Sequence, residues 1–338
     1  MNKKLISFIA GILLLLTLIF FFFEKNDKYI SPKGDDTFLC TWNMPCKTLE
    51  RASEIAKPGD VIHILEGTYN EVLTISTSGT SNSKISFIGK NAIVRGIIIN
   101  ASYIHVSGLE IVNSLSHGII ALKSNIVIEN NQVHHGIIEN GSGPVCGQEE
   151  EVSWGSGIKV ERGAENIKIT NNKVFNNCGE GIAVTMGDNI EVTKNMISDN
   201  YSVNIYIDNS SFVIVSENKI NCSGQEYLRD NKPASGIAIG EEEYQGWGAR
   251  RRDTLITNNL IDGCYEGIVS WAPEGENGIE RNLTIKGNTI VNEKHLSIAL
   301  NWLNDNVLIE KNYIEEDMYI KYPDGVVIKD NTIVEADS

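Results

Sequence analysis

Three consecutive segments decide the fold: "IKITNNKV" (residues 167–174), "IEVTKNMI" (190–197) and "VIVSENKI" (213–220). Each segment begins 23 residues after the one before it and combines alternating apolar residues with a polar pair that ends in Asn. Period-two alternation is typical of β-strands, and Asn tolerates the left-handed backbone of tight turns. Repeats of this length, stacked on one another, predict a β-solenoid.

The same pattern continues on both sides of these three segments. Successive marker asparagines are separated by 41, 23, 23, 41, 29, 24 and 19 residues, so the base period is about 23 and longer gaps carry insertions. The markers are Asn131, Asn172, Asn195, Asn218, Asn259, Asn288, Asn312 and Asn331. Three short strands per repeat predict an all-β, single-stranded right-handed parallel β-helix of about nine to ten coils. Ile and Val would stack inside it, and Asn would stack on Asn at one turn.

The composition supports many short strands and excludes several other classes. The 338 residues include 36 Asn and 47 Ile, which disfavours helical bundles and doubly wound α/β folds. The formal charge is −15, from 29 Lys and Arg against 44 Asp and Glu. An acidic surface does not neutralise phosphates. We therefore expect neither a nucleic-acid partner nor a nucleotide cofactor, and no electrostatic attachment to a membrane surface.

The N-terminus is predicted to be a membrane segment. Residues 5–23 form 19 residues without charge or proline, long enough to cross a bilayer as a helix. Lys3 and Lys4 precede them, which places the N-terminus in the cytoplasm. Residues 1–28 would be a stub, signal anchor and linker, and residues 29–338, with a formal charge of −17, an extracytoplasmic β-helix domain. A cleaved signal peptide is the alternative, and it would leave the chain secreted.

The six cysteines fit an exported protein, because their number is even and none forms a CxxC pair. Cys40 and Cys46 flank a short loop. Cys222 and Cys264 occupy equivalent positions one repeat apart, which leaves Cys146 to pair with Cys178. Free, buried thiols are the alternative interpretation.

The N-terminal part of the repeat region resembles a known family. The segment "YISPKGDD…PCKTLERASEIAKPGDVIHILEGTYNE" (residues 29–71) is similar to the entry region of pectate-lyase-like right-handed parallel β-helix proteins, which include polysaccharide lyases. The resemblance implies a short capping helix over residues 48–56. It leaves the chemistry open, because lyases, hydrolases, epimerases, adhesins and non-enzymes share this fold.

Outward-facing residues of the first strand in each coil form the candidate site. In segments such as "GIKVE" (157–161), "GIAVT" (181–185), "NIYID" (204–208) and "GIVSW" (267–271), the third and fifth residues should face solvent. This alternation brings together Lys159, Glu161, Tyr206, Asp208 and Trp271. Long inserts at residues 134–156, 222–235, 241–253 and 272–281 should flank the same face.

These residues suggest cleavage of a polysaccharide by β-elimination. Lys159 would abstract the C5 proton of a uronic acid, Tyr206 would donate a proton to the leaving oxygen, and Arg251 would hold carboxylates. Glu161 and Asp208 are candidate ligands of Ca²⁺. The predicted substrate-binding residues are Thr185, Trp247, Arg250, Arg252 and Trp271.

Two other functions remain open from the sequence. Glycoside hydrolysis needs two carboxylates, for which Glu161 and Asp208 are candidates, although no paired-Asp motif is present. The acidic charge would repel an acidic polymer, which favours a non-catalytic glycan-binding or surface-structural solenoid. Epimerisation is disfavoured, because the adjacent His134 and His135 do not reproduce an Asp-Pro-His motif.

Overall fold

The computed structural model describes residues 27–147, 154–242, 252–271, 278–315 and 317–334. Within these ranges, 29 parallel strands wind into a β-helix in which each strand pairs with its equivalents in the neighbouring coils. No helix in this part of the chain is long and apolar enough to span a bilayer. The anchor predicted for residues 5–23 lies outside the described residues.

The coils have three strands each, which stack into three sheets. The first sheet contains Ile119–Ala121, Ser156–Val160, Glu180–Thr185, Val203–Asp208, Ser235–Gly240, Glu266–Trp271, Leu296–Leu300 and Met318–Ile320. The second contains Asp27–Ile30, Val61–Ile64, Ile126–Glu129, Glu165–Thr170, Asp188–Thr193, Ser211–Ser216, Arg252–Thr257, Ile279–Lys286, Leu303–Glu310 and Val326–Lys329. The third contains Gln132–His134, Lys173–Phe175, Met196–Ser198, Lys219–Asn221, Leu260–Asp262, Thr289–Val291, Tyr313–Ile314 and Thr332–Ile333. Gly67–Ile75, Ile85–Ile99 and Ile104–Val112 are longer and take part in more than one sheet.

Aliphatic ladders fill the interior, as the period-two alternation predicts. In the first sheet, Ile182 pairs with Ile158 on one side and with Ile205 on the other, and all three are fully buried. The ladder continues through Ile237, Ile268 and Ile298. Each buried Ile contributes roughly 2 kcal/mol relative to an exposed one.

The marker asparagines form the predicted ladder at the turn between the second and third sheets. The Asn195 Oδ1 atom accepts hydrogen bonds from the Asn172 backbone N–H at 2.9 Å and from Asn172 Nδ2 at 3.1 Å. Its own Nδ2 donates to Asn218 Oδ1 at 3.0 Å. The same pattern links all eight markers from Asn131 to Asn331. The preceding residue is left-handed, as at Lys194 with φ 58°.

A short helix, Leu49–Ile55, covers the N-terminal coil. Thr48 caps it by accepting a hydrogen bond from the Arg51 backbone N–H at 3.1 Å. Leu49 and Ala52 are fully buried against the first coils. The helix therefore closes the apolar interior at the place where a solenoid would otherwise expose strand edges.

Three disulfides join Cys40 to Cys46, Cys146 to Cys178 and Cys222 to Cys264, the same pairs that the sequence suggests. Their Cα–Cα distances are 4.6, 5.3 and 4.7 Å. The second bond attaches the long insert before the strand Ser156–Val160 to the neighbouring coil. Inserts on this side of the molecule are thus held near the first sheet.

Candidate active site

The outward columns of the first sheet have the predicted register, but their middle part does not face solvent. Tyr206 lies between Ala183 and Ala238, and Asp208 lies between Thr185 and Gly240. Tyr206 is 7% exposed and Asp208 is fully buried. The expectation of solvent exposure is therefore wrong for this part of the sheet. Loops cover this part of the sheet. The outward-facing residues beneath them form a second apolar cluster, separate from the core inside the solenoid, which includes Ala183, Tyr206 and Ala238.

A cavity of about 600 Å³ lies between these loops and the first sheet. Its floor is formed by outward residues of five successive strands: Lys159, Thr185, Tyr206, Ala238 and Val269. Where the strands begin, the cavity is bordered by Trp154, Arg229, Asp230, Lys232, Tyr265 and Glu266. Where they end, it is bordered by Glu242 and Trp271.

A buried acid and a lysine lie on adjacent strands at one end of the cavity. Glu180 and Lys159 both line the cavity from adjacent coils. Ser156, the strand partner of Glu180, donates its hydroxyl hydrogen to Glu180 Oε2 at 2.7 Å. Burial raises the pKa of the Glu180 carboxyl, while the charge of Lys159 and the bond from Ser156 oppose that rise. Two groups that exchange protons therefore face the same space.

Tyr206 and Asp208 belong to a hydrogen-bonded cluster in the middle of the floor. The Tyr206 hydroxyl donates to Glu242 Oε1 at 2.5 Å. Asp208 Oδ1 accepts from Asn209 Nδ2 and from the Glu242 backbone N–H, both at 3.1 Å. Burial, and then the charges of Asp208 and Glu242, raise the pKa of Tyr206 well above its usual range. The tyrosine stays neutral, and its proton is engaged with Glu242.

Aromatic and cationic side chains form the border. Arg229 lies over the ring of Trp154 with 4.8 Å between its guanidinium carbon and the ring centroid. Lys232 donates to the Tyr265 hydroxyl at 3.0 Å. Trp271, 45% exposed, meets the Tyr206 ring edge-on at 6.3 Å. Half-exposed indoles and fixed cations are groups that bind sugar rings and carboxylates.

The other residues singled out from the sequence either do not line the cavity or lie outside the described residues. Trp247, Arg250 and Arg251 fall outside the described residues, and Arg252 is described only as the first residue of its strand. His134 and His135 contact each other and Phe175 and do not line the cavity.

The two proposed calcium ligands do not fit a metal site. Glu161 is half-buried and accepts a bond from the Arg162 backbone N–H at 3.0 Å. Asp208 has no exposed surface. Throughout the described parts of the chain, no group of three or more His, Cys, Asp or Glu side chains is arranged to hold a metal ion. We therefore derive no step through Ca²⁺.

Sequence reasoning missed Glu180, because strict alternation places it inside with Ile182. The glycine between them breaks the alternation. A Cβ atom on Gly181 would lie 3.0 Å from Ile197 Cγ2, and one on Gly157 would lie 2.7 Å from Val174 Cγ1, so both glycines face the core. Glycine and the following Ile both point inward, and the residue before the glycine points outward. The Gly-Ile pair that recurs at the start of these strands is the sequence signal from which the outward direction of Glu180 could have been predicted.

Comparison with known families supports the fold. Residues 28–191 match the family described as "Pel9A-like, right handed beta helix region". This match confirms the resemblance to pectate-lyase-like right-handed parallel β-helix proteins. Among curated proteins, the uncharacterized protein YwoF of Bacillus subtilis (strain 168) is 34% identical over 115 residues, 30% of this chain. The match spans only 25% of the length of that relative.

Solved structures with the same fold have different functions. An alginate lyase from Paenibacillus sp. str. FPU-7 superposes with a TM-score of 0.57 and 17% identity, over 86% of this chain and 97% of the lyase. Pectate lyase Pel9A superposes with a TM-score of 0.52 and 14% identity, over 90% of this chain and 79% of the lyase. PfbA, a surface adhesin of Streptococcus pneumoniae, superposes with a TM-score of 0.59 and 12% identity, over 85% of this chain and 84% of the adhesin. At these identities the likeness shows the fold alone.

Proposed function

We propose that this protein is an extracytoplasmic carbohydrate-active β-helix that binds a polysaccharide in the cavity on its first sheet and cleaves it by β-elimination. The observation that carries the proposal is the convergence of Lys159, Arg229 and Trp271 on one cavity of about 600 Å³. These residues come from distant parts of the sequence. A cavity that combines an indole with cations suits an anionic sugar.

Lys159 is the proposed base. It lines the floor of the cavity, so its side chain faces the space in which a bound sugar would lie. In its neutral form the amine accepts the C5 proton of a uronate, whose acidity rises when a cation neutralises the adjacent carboxylate. Arg229 and Lys232 are the described cations at the border that serve this purpose. Arg250, Arg251 and Arg252 are proposed to add to it.

Trp271 and Trp154 are proposed to hold the sugar rings. They lie at opposite borders of the cavity, and both are 45% exposed. Thr185 contributes a hydroxyl to the floor between them. Tyr206 orients Glu242 through its short hydrogen bond, which leaves the supply of a proton to the leaving oxygen to another group.

We also propose that residues 5–23 anchor the protein in the cell membrane as a single-pass helix with a cytoplasmic N-terminus. The support is their length and lack of charge. Tagged full-length protein that remains in the membrane after alkaline extraction would agree with an anchor. Its recovery in the medium would indicate a cleaved signal.

A panel of acidic and neutral polysaccharides tests the activity. Elimination gives an unsaturated uronate that absorbs near 235 nm, whereas hydrolysis gives reducing ends without this absorbance. Lys159→Ala should reduce elimination by at least about 10²-fold, the usual contribution of a general base, and keep the far-UV circular dichroism of the wild type. Full activity of this variant would exclude Lys159 as the base. Binding without cleavage would support the glycan-binding solenoid instead.

A further inference from the structure

β-Elimination needs a proton donor as well as a base, because the leaving sugar departs as an alkoxide unless its oxygen is protonated. Tyr206, the donor suggested by the sequence, is 7% exposed and already donates to Glu242. Another acid lines the same cavity as the proposed base. Glu180 lies at the start of the strand next to that of Lys159, three residues before Ala183, the strand partner of Lys159.

We propose that Glu180 is the catalytic acid that protonates the leaving oxygen, on the same face of the sugar from which Lys159 removes the C5 proton. This inference rests on the proposed function. Ser156 fixes Glu180 through Oε2 at 2.7 Å. The carboxyl belongs to the cavity lining and is 7% exposed, so it is both held in place and close to bound substrate.

The surroundings favour the protonated form of Glu180. Burial is the largest effect and raises the pKa of the carboxyl, and the negative charge of Glu242 raises it further. The charge of Lys159 and the hydrogen bond from Ser156 act in the opposite direction.

The proton balance closes within this pair. The Lys159 amine takes the C5 proton and becomes an ammonium. The C5–H electrons form the C4–C5 double bond, and the C4–O4 bond breaks. Glu180 gives its proton to O4 and becomes a carboxylate. After the products leave, one proton passes from the ammonium to the carboxylate and restores both groups. No external oxidant, reductant or co-reactant is required.

Acid and base on one face specify the stereochemistry of the substrate. Lys159 and Glu180 both project from the floor, so they meet the same side of a sugar that lies on it. In glucuronate and mannuronate the C5–H and C4–O4 bonds lie on the same side of the ring, whereas in galacturonate they lie on opposite sides. The substrate class is therefore a polymer of gluco- or manno-configured uronates.

Glu180→Gln tests the assignment, because glutamine keeps the shape of the side chain but supplies no acidic proton. On polymannuronate or glucuronan, its rate of formation of 235 nm product should fall by about 10²-fold or more. On a 4-O-(2,4-dinitrophenyl) glucuronide, whose phenolate leaves without a proton, its rate should stay near that of the wild type. Lys159→Ala should lose activity on both substrates.

Glu266→Gln is the matched control. Glu266 is another cavity-lining glutamate and is paired with His295 at 3.2 Å. Its removal should change the rates on both substrates by the same factor. If Glu180→Gln does not fold, Ser156→Ala takes its place. Loss of the hydrogen bond that holds Glu180 should slow cleavage of the polymer but not of the dinitrophenyl glucuronide, and equal effects on the two substrates would overturn the assignment.

The outcomes separate this inference from the proposed function. No 235 nm product from wild-type protein with any uronate polymer overturns both. If the wild type is active and Glu180→Gln is equally active, Glu180 is not the catalytic acid, and the role of Lys159 as the base is unaffected. Cleavage of polygalacturonate alone overturns the same-face arrangement.

Discussion

At the scale of single residues, a buried histidine connects the site to the pH of the surroundings. The His117 Nδ1 atom accepts a hydrogen bond at 3.0 Å from the backbone N–H of Ser156, the residue whose hydroxyl holds Glu180. Burial, and then the charge of Lys159, lower the pKa of His117 to about 4. A neutral ring is therefore part of the folded structure, because a protonated Nδ1 atom cannot accept this bond.

Protonation of His117 should destabilise the protein in acid. The pKa is lower in the folded state than in the unfolded state, so the stabilisation is complete above about pH 6.5 and is lost as the pH falls towards 4. We expect a contribution of about 2–3 kcal/mol to the loss of unfolding free energy between pH 7.5 and pH 4. Urea unfolding across this range measures it.

His117→Asn is the control for this prediction, because its amide oxygen can accept the same bond and does not titrate. Carboxylates elsewhere titrate equally in both proteins, so the difference between the two pH profiles isolates His117. Parallel profiles would contradict the prediction. The pH profiles of kcat for the wild type and His117→Asn can be compared in the same way. A difference between them would indicate that the hydrogen bond between His117 and the Ser156 backbone helps to position Glu180.

At the scale of the structural element, the asparagine ladder holds each turn to the next. Asn195 takes part in four buried hydrogen bonds through its side chain, two accepted from Asn172 and two donated, to Ile169 O and to Asn218 Oδ1. Its loss leaves the Asn172 N–H and the Ile169 carbonyl without these partners. Each buried group that loses its only partner costs roughly 1–3 kcal/mol.

Asn195→Ala should therefore lower the unfolding free energy by about 3 kcal/mol, measured by urea denaturation at neutral pH. Asn70→Ala is the matched control, because Asn70 is exposed on the strand Gly67–Ile75. It should change stability by less than about 0.5 kcal/mol. Equal effects of the two substitutions would show that the ladder contributes no more than a surface amide.

The strands and the asparagine ladder could be predicted from the sequence more completely than the cavity and its lining. The interior of a coil is set by alternation and turn chemistry, both visible in segments such as 190–197, so strands, ladder and sheet register follow from the sequence. The site depends on local breaks in that pattern. Gly181 turns inward with Ile182 and thereby directs Glu180 into the cavity. The loops that bury Tyr206 have no periodic sequence pattern, so their packing over the first sheet could not be predicted from the spacing of residues in the sequence.

At the scale of the whole molecule, the charge distribution opposes the chemistry of the site. The chain carries a formal charge of −15, and residues 29–338 carry −17. The described cavity lining includes three cations, Lys159, Arg229 and Lys232, and four acidic residues, Glu180, Asp230, Glu242 and Glu266. An anionic polymer is therefore repelled by the molecule at long range, and its attraction at short range comes from direct contacts with the three cations. These two effects respond differently to salt, because screening removes long-range interactions first.

This difference predicts an unusual salt dependence. The Debye length falls from about 30 Å at 0.01 M to about 8 Å at 0.15 M ionic strength, which screens the repulsion more than the contacts inside the cavity. For an anionic substrate, kcat/KM should rise several-fold over this range, through faster association. For a neutral oligosaccharide that binds the cavity, affinity should stay constant. Stopped-flow association at both ionic strengths measures the two cases.

Charge-neutralising substitutions on another sheet provide the control. Glu165 and Asp188 are exposed on the second sheet, away from the cavity lining. Glu165→Gln with Asp188→Asn should speed association at 0.01 M and have no effect at 0.15 M, because these charges act only through the long-range field. A rate that instead falls as salt increases would mean that the cavity cations control the encounter. The acidic surface would then be irrelevant to substrate capture, and the electrostatic argument for a non-catalytic solenoid would lose its basis.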